Sequence, residues 1–420
     1  MSVTHSSSSA ANPRWATIQA LAQWQTGSRF ADEVLHDAMA AHRFGSFERA
    51  FLTETFYGIL RHQSALDFLI SQLRETPLDP LTRQVLRLGF YQIFRMRIPH
   101  HAAVNETVNL AGRAKGLVNA LLRRSIREKE ALLERLAAMP LAVRASHPQA
   151  LVDRWEAAFG PGAAEALCEW NNTPAEMYAR SNRLKVTAGE LQTSLADAQP
   201  TPLHPQMLKL RHLPHAAIAH GLCYIQDPST LLAVELLGAQ PGETVLDACA
   251  APGGKASAIA EAMENRGVLQ VCDNASHRLE RLSGNLRRLG VSVARPVRID
   301  WLTESSPFPE AHFDRILADV PCSNTGVIRR RVDVRWRLSD DDFATMPERQ
   351  REIVFRLVPL LKPGGTFVYS TCSLEAEEND EVVKAILQRF PELELLETRR
   401  SVPFRDGMDG AFAVKLHKRV

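Results

Sequence analysis

The sequence comprises 420 residues, of which 45% are hydrophobic and 23% are charged, and these proportions are typical of a soluble globular protein. Its length allows two or three domains, and because no run of eighteen apolar residues occurs, we expect no membrane span. The net charge is only +2, but residues 1–140 hold 17 Lys and Arg against 12 Asp and Glu. This local excess favours a polyanionic partner, although a solvated basic surface explains it equally well.

Six cysteines are scattered along the chain and match no zinc-binding spacing, so the sequence predicts no metal site. Cysteines of this kind in a chain of this size indicate a reducing, cytoplasmic environment. Residues 1–12 are rich in Ser and Ala and lack the basic start and the apolar core of a secretory signal. We therefore predict a disordered leader there.

Residues 13–140 carry apolar side chains at three- and four-residue spacing, which predicts an all-α domain. Three stretches of it are distinctive, at 85–93, 103–108 and 116–124, and in them the chain resembles NusB, an RNA-binding antitermination factor. The resemblance implies that this domain binds RNA and that Arg123 and Arg124 contact phosphate. Alternatively, both are surface arginines on amphipathic helices.

Residues 145–225 combine a helix-like stretch, a basic strand candidate at 179–186 and a proline-rich passage. This pattern predicts a small α+β linking subdomain. Arg180 and Asn182 lie on the strand candidate, and we expect them to bind RNA. The alternative is a sheet edge that its basic residues protect from pairing with another chain.

From residue 226 to the end, strand and helix patterns alternate, which predicts a doubly wound α/β domain. Its strand candidates lie at 243–247, 267–272, 295–299, 314–318 and 365–370. Its helix candidates lie at 255–264, 275–289 and 341–361.

The turn 247–255 joins the first of these strands to a helix and reads Asp-Ala-Cys-Ala-Ala-Pro-Gly-Gly-Lys. Its glycines fit neither the dinucleotide fingerprint nor the P-loop, so it supports neither a nicotinamide nor an ATP site. Glycines at a helix start still let a ligand approach the backbone closely. Asp273 and Asp300 end the next two strands, where acids can hold the ribose and adenine of an adenosine.

The fourth strand ends in Asp319-Val-Pro-Cys322, and the fifth ends in Thr371-Cys372. With the glycine turn, these motifs resemble the RNA cytosine-5 methyltransferases of the NOL1/NOP2/Sun family. The resemblance covers residues 226–420 and implies a Rossmann-like core that uses S-adenosyl-L-methionine. It also implies a cofactor site made of Cys249, Ala250, Ala251, Pro252, Gly253, Gly254, Lys255, Asp273, Asp300 and Asp319.

The same resemblance implies the catalytic roles. Cys372 is the nucleophile that adds to carbon 6 of cytosine and makes carbon 5 reactive, and Cys322 assists breakdown of the adduct. Asp319 bonds the edge of the base and Lys255 orients it, while Arg329 and Arg330 hold RNA. The alternatives are that each cysteine is a small buried hydrophobe and that the arginines form an exposed loop.

Together with the NusB-like domain, the resemblance implies a monomeric, cytoplasmic enzyme that methylates carbon 5 of a specific cytosine in 16S small-subunit rRNA. The reaction would pass through a covalent cysteine–cytosine intermediate. Two alternatives remain open at this point: the same chemistry on tRNA or another rRNA site, and a catalytically silent RNA-binding ribosome assembly factor.

Overall fold

The computed structural model describes residues 12–420. The predicted leader at 1–12 lies outside the described residues except for Asn12, whose side chain caps the first helix by accepting from the Arg14 amide at 2.9 Å. The described chain forms two compact units. Unit 1 comprises the chain up to Thr173 together with Ile328–Arg337, and unit 2 comprises Pro174–Val327 and Leu338–Val420.

Unit 1 is helical, as predicted from its apolar spacing. Its helices α1–α11 are Pro13–Trp24, Ala31–Ala41, Ser46–Arg61, Gln63–Ser71, Pro80–Phe94, His100–Leu110, Lys115–Arg127, Lys129–Ala137, Leu141–Arg144, Gln149–Phe159 and Pro161–Asn172. Helix α5 begins at Pro80 because the Asp79 side chain caps its first turn and proline is well tolerated at the first helical position. Gly58 lets α3 approach α5 closely, since a Cβ there would lie 2.0 Å from the Tyr91 hydroxyl.

The segment Ile328–Arg337 belongs to unit 1, although its neighbours in sequence belong to unit 2. Arg335 is fully buried and donates to the Ser146 carbonyl at 3.1 Å, the Asn172 side chain at 2.8 Å and the Asn171 carbonyl at 3.2 Å. Trp336 donates to the Leu60 carbonyl at 2.8 Å. A division of the chain into contiguous domains therefore misses this segment, which completes the helical unit by satisfying its buried carbonyls.

Unit 2 begins with a small antiparallel sheet of order β2-β3-β1-β4. Its strands β1–β4 are Met177–Ser181, Gln199–Pro200, Met207–Leu210 and Cys223–Ile225. Two short helices accompany it, α12 at Ala188–Ser194 and α13 at His215–Ala219. The predicted mixture of strand and helix is confirmed, but the basic strand is shorter than the 179–186 candidate.

The rest of unit 2 is a seven-stranded sheet of order β10-β11-β9-β8-β5-β6-β7. Strands β5–β11 are Thr244–Asp247, Val268–Asp273, Ala294–Arg298, Phe313–Asp319, Leu361–Thr371, Leu393–Ser401 and Ala411–Lys418. Helices α14–α19 are Leu231–Leu237, Gly254–Ala262, Ser276–Leu289, Asp340–Leu357, Asp380–Arg389 and Pro403–Asp406. The five predicted strands are confirmed as the parallel part, and β10 and β11 add an antiparallel pair.

The strand order runs outward from β5 in both directions, to β6 and β7 on one side and to β8 and β9 on the other. Successive residues alternate between two apolar layers, with Leu246 and Ile316 in one and Val245 and Leu317 in the other. Both faces are thus covered, which confirms the predicted Rossmann-like architecture. In such sheets a ligand binds beyond the carboxyl ends of the strands, where the order reverses. Within residues 12–420, no helix is long and apolar enough to cross a membrane.

Candidate active site

The glycine turn connects β5 to α15 at the reversal point of the sheet. Gly253 has a φ of +105°, and a Cβ there would lie 2.9 Å from the Leu282 side chain. Helix α15 starts at the next residue, so its first amides face outward from the carboxyl edge of the sheet. The cofactor-binding residues predicted at 249–255 lie in this turn and in the first residues of α15, and we call this segment the cradle.

Asp247 is the residue at the base of the cradle, and it is almost completely buried. Among residues 12–420, neither of its carboxylate oxygens has a donor in full hydrogen-bond geometry, and the Cys249 amide is near enough only to lower its pKa. Burial, together with the negative charge of Asp319, raises the pKa of Asp247 to about 7, against the opposing charge of Lys255. An unpaired buried carboxylate is costly, and its position suits a ligand cation.

Asp273 and Asp300 follow β6 and β7, as predicted, but the structure gives them different contacts. The buried Asp273 carboxylate accepts from the Ala251 amide of the cradle at 3.3 Å and pairs with Arg278 at 3.3 Å. Asp300 accepts from the Leu302 amide at 3.0 Å, which stabilises its own turn. Cys249 lies among these acids, and burial and the charges of Asp247 and Asp319 raise the pKa of its thiol well above the usual value.

Lys255 and Asp319 form an ion pair across the carboxyl edge of the sheet, with Nζ 2.6 Å from Oδ2. The second oxygen of Asp319 accepts from the Ser370 hydroxyl at 3.1 Å. Burial lowers the pKa of Lys255, but the charge and hydrogen bond of Asp319 outweigh it, and the net shift is upward. Lys255 is therefore a fixed positive charge at the border of the cradle.

Cys322 and Cys372 follow β8 and β9, and the structure brings their Sγ atoms to 3.2 Å. Cys322 is buried, while Cys372 is half-buried and lies 3.3 Å from the Asn324 side-chain oxygen. The hydrogen bond with Cys372, burial and the charge of Cys372 raise the pKa of Cys322 well above its usual value. The pair is therefore asymmetric, with one accessible sulfur beside one that holds its proton.

Two residues of this site had a sequence signal that our prediction did not use. Asn324 has a φ of +60°, and its amide donates to the Cys322 carbonyl at 2.7 Å, which holds the loop of the first cysteine. Asn is the non-glycine residue that most readily adopts this conformation, and it stands two residues after a cysteine. Asp247 was predicted as the strand end that opens the ligand turn, but it was not assigned a contact with the cofactor, which its burial as an acceptor now indicates.

Arg180 and Asn182 do not contact RNA in the way that we predicted, because both are buried. The Arg180 guanidinium forms an ion pair with the buried Glu261 and donates to the Ser257 hydroxyl at 2.7 Å. Asn182 donates to the Gly221 carbonyl at 2.7 Å and to the Leu289 carbonyl at 2.8 Å. Both side chains are taken up by contacts inside unit 2, and we correct their assignment accordingly.

Replacing Arg180 with Ala should destabilise unit 2 by about 3–5 kcal/mol, since the substitution removes the buried partner of Glu261 and leaves it only the exposed Arg183 at 3.9 Å. Arg183→Ala is the matched control, because Arg183 approaches the same carboxylate from an exposed position at 3.9 Å. Urea unfolding should show a lower midpoint for Arg180→Ala and almost none of this loss for Arg183→Ala. Equal midpoints in the two variants would contradict the structural role of the buried pair.

The other predicted RNA-binding arginines differ in exposure. Arg123 and Arg124 are exposed on α7, where Arg123 donates to Asn119 and Arg124 pairs with Glu128 at 2.7 Å. Arg330 is half-buried. Arg329 is buried, with its guanidinium 4.1 Å from the centre of the Trp170 ring. We therefore withdraw both its predicted RNA contact and the alternative of a fully exposed basic loop.

Three family models match the chain. The model described as 16S rRNA methyltransferase RsmB/F matches residues 234–417, and the NusB family matches residues 11–127. The ferredoxin-like domain of RsmF/B-like methyltransferases matches residues 147–214. Among residues 12–420, no group of three or more His, Cys, Asp and Glu side chains could hold a metal ion.

Individual proteins match over nearly the whole chain. The probable ribosomal RNA small subunit methyltransferase B of Bacillus subtilis is 34% identical over 394 residues, which are 90% of this chain and 88% of that protein. Ribosomal RNA small subunit methyltransferase B of Salmonella arizonae is 38% identical over 395 residues, or 89% and 91% of the two chains. The crystal structure of PH0851 is 25% identical with a TM-score of 0.79, covering 97% of this chain and 98% of its own.

Proposed function

Because this chain belongs to the ribosomal RNA small subunit methyltransferase B family, we propose that it transfers a methyl group from S-adenosyl-L-methionine to carbon 5 of a specific cytosine in 16S rRNA. The observation that carries the proposal is the thiol pair of Cys322 and Cys372, 3.2 Å apart beside the Lys255–Asp319 ion pair. Carbon 5 of cytosine is a poor nucleophile, and a second sulfur close to the first serves a reaction that must both form and break a covalent adduct.

The residues of the cradle fit the proposed cofactor. S-adenosyl-L-methionine supplies an electrophilic methyl group on a sulfonium, and its amino acid end carries an ammonium. Asp247 offers a buried carboxylate for a cation, and the positive φ of Gly253 gives the turn a backbone path that side-chain-bearing residues rarely adopt. Of the two acids on the next strands, Asp273 is the one that bonds the turn, through the Ala251 amide. We therefore assign Asp273 to the ribose.

The proposed reaction starts at Cys372, whose thiolate forms a bond to carbon 6 of a cytosine that has left its base stack. Asp319 bonds the edge of the base and helps to protonate the ring nitrogen, so that the electron pair reaches carbon 5. Lys255 keeps Asp319 in place through its ion pair. Carbon 5 would then take the methyl group and lose its proton. The electrons of that C–H bond would re-form the double bond between carbons 5 and 6 and release the Cys372 sulfur from carbon 6 as a thiolate, while the ring nitrogen gives back its proton.

The shift in the pKa of Cys322 supports its part in the second half of the reaction. The hydrogen bond to Cys372 is the largest cause of that shift, and the charge of Cys372 adds to it. Once Cys372 is bound to carbon 6, both contributions disappear and the pKa of Cys322 falls. Burial and the charge of Glu378 continue to raise the pKa of Cys322, so it moves down from a raised starting point at the stage where carbon 5 must lose a proton.

The affinity for the cofactor should rise with pH through about 7, because the Asp247 carboxyl has a pKa of about 7 and only its ionised form attracts the ligand ammonium. Ionisation of Asp247 has the opposite effect on the stability of the fold, because an acid whose pKa is raised in the folded state lowers the free energy of unfolding as pH rises. Titration with S-adenosylhomocysteine, which keeps the ammonium, measures the binding. Asp247→Asn should weaken binding about tenfold at pH 8, or ~1.4 kcal/mol, and flatten the pH dependence. Asp341→Asn, an exposed control, should change neither.

The proposal is tested by incubating the purified chain with methyl-labelled S-adenosylmethionine and unmodified 16S rRNA, 23S rRNA or tRNA. Digestion to nucleosides and mass spectrometry should place the label in 5-methylcytidine from 16S rRNA. Label in 23S rRNA or tRNA alone would select the alternative substrates, and label in another nucleoside would contradict the chemistry. Binding without transfer would favour a silent assembly factor, which the intact set of Cys372, Cys322, Asp319 and Lys255 argues against.

We extend the proposal to the features that accompany this activity. The enzyme would act as a cytoplasmic monomer without a metal, and Arg123, Arg124 and Arg330 would contribute to RNA binding. The divisions at 13–140, 145–225 and 226–420 remain our proposal for its domains, although compact unit 1 also includes residues 145–173 and Ile328–Arg337.

A further inference from the structure

Glu378 is a buried carboxylate next to the thiol pair, between β9 and α18, and the reaction as proposed does not use it. It accepts from the Ser323 amide at 2.9 Å, from the Ser373 hydroxyl at 2.7 Å and from the Gln350 side chain at 2.8 Å. The Ser323 hydroxyl is a fourth donor to it. These four hydrogen bonds satisfy both oxygens of the buried carboxylate.

The two serines are the residues that directly follow the two cysteines. Ser323 follows Cys322 after β8, and Ser373 follows Cys372 after β9. A single carboxylate therefore bonds both cysteine loops at the position next to each sulfur. The Gln350 side chain strengthens the arrangement, since it also donates to the Pro321 carbonyl at 2.9 Å.

Other contacts join the same loops, but they act at different places. The Gly326 amide donates to the Cys372 carbonyl at 2.9 Å, and the two serine hydroxyls are in contact at 3.0 Å, although both of their protons go to Glu378. Each of these contacts joins one atom to one atom. Glu378 differs because its two oxygens accept from an amide, two hydroxyls and a side-chain amide at once, which fixes the loops in both separation and orientation.

Resting on the function proposed above, we propose that Glu378 is a positioning residue that holds the Cys322 and Cys372 loops together and thereby sets the separation of the two thiols. A carboxylate is suited to this role because it only accepts hydrogen bonds, and all four of its neighbours donate. Gln at this position would direct an NH₂ group at one of those donors. Glu378 would touch neither the RNA nor the cofactor.

The separation of the thiols can be measured without any methyl transfer. Phenylarsine oxide joins two neighbouring thiols to one arsenic and releases water, so it binds tightly only where both sulfurs are within reach. Glu378→Gln should weaken its binding about tenfold or more, which corresponds to ~1.4 kcal/mol. Glu381→Gln is the matched control, because it makes the same chemical change on the exposed side of α18 and should bind as the wild type does. Cys322→Ala gives the background for a single thiol.

Kinetics supply the second readout. Misplacing a reactive group by about 1 Å lowers the reaction rate on the order of 10²-fold. We therefore expect kcat to fall about 10- to 100-fold in Glu378→Gln. The KM for RNA and the affinity for S-adenosylhomocysteine should stay unchanged. If arsenical binding is unchanged, or if it weakens while kcat stays at the wild-type value, the positioning role is wrong. If the variant fails to bind S-adenosylhomocysteine through misfolding, Ser373→Ala removes one arm of the same contact and should show a smaller effect of the same kind.

The two readouts separate this inference from the proposed function. A wild-type chain that methylates no cytosine would overturn the function and leave the arsenical comparison informative about the thiol pair. An active wild-type chain whose thiol pair does not respond to Glu378→Gln would overturn only the role of Glu378.

Discussion

Replacing Cys372 with Ala should abolish methyl transfer, reducing kcat on the order of 10³-fold or more, while affinity for S-adenosylhomocysteine stays close to wild type. The reason is that the proposed reaction has no other route to a reactive carbon 5 than addition of this sulfur to carbon 6. The cradle around Asp247 and Gly253 contains no atom of Cys372 and should bind its ligand as before. The measurements are single-turnover transfer from labelled cofactor and calorimetric titration.

Cys223→Ala is the matched control for that variant. Cys223 is buried in the small sheet, and burial raises the pKa of its thiol to about 11, so it is a small hydrophobe rather than a reactive group. The Cys223→Ala variant should be slightly less stable than the wild type and should retain full kcat. Wild-type activity in Cys372→Ala would contradict the assignment of Cys372 as the nucleophile.

Replacing Cys322 with Ala should give the second large effect, in which a covalent protein–RNA adduct accumulates. Cys372 can still attack in this variant, but the group that the account assigns to the release step is missing. The adduct should appear as a slow-migrating band on a denaturing gel with 16S rRNA and cofactor, and it should disappear after ribonuclease treatment.

The double variant Cys322→Ala, Cys372→Ala provides the control for this experiment, since it cannot form the adduct. A band in the double variant would place the bond at another residue. If Cys322→Ala alone shows no band and turns over normally, the proposed division of work between the two sulfurs is wrong.

The parts of the site that could be predicted are those that the topology brings together by itself. Parallel strands end at one edge of a sheet, so side chains that follow β5, β6, β8 and β9 meet wherever those strands pair. The strand pattern was sufficient to place Asp247, Asp273, Asp319 and Cys372 along that edge. Asp300 also lies there, but its carboxylate caps a turn, a contact that the strand pattern does not reveal.

The parts that could not be predicted depend on partners far away in the sequence. Arg180 looked like an exposed basic residue because its partner Glu261 lies 81 positions later, and only the packing of β1 against α15 joins them. Arg335 lies deep in unit 1 for the same reason, since the oxygens that it binds, on Ser146, Asn171 and Asn172, are at least 160 positions earlier in the chain. The antiparallel strand β10 was missed because most of its side chains are exposed, which gives a weak apolar pattern.

Two buried acids near the site differ in the number of hydrogen-bond donors around them. Asp247 and Glu378 are both buried acids, yet one has no donor in full hydrogen-bond geometry and the other has four. The sequence does not distinguish these two cases, because the donors around Glu378 come from residues on other parts of the chain. The difference assigns Asp247 to a ligand and Glu378 to the architecture of the thiol loops.

The most direct test of the central claim is bisulfite sequencing of 16S rRNA from cells that lack the gene. The account predicts that one cytosine, protected as 5-methylcytosine in the parent strain, becomes convertible in the mutant. A plasmid with the wild-type gene should restore protection, and a plasmid with Cys372→Ala should not. Unchanged protection at every cytosine of 16S rRNA in the mutant would contradict the account.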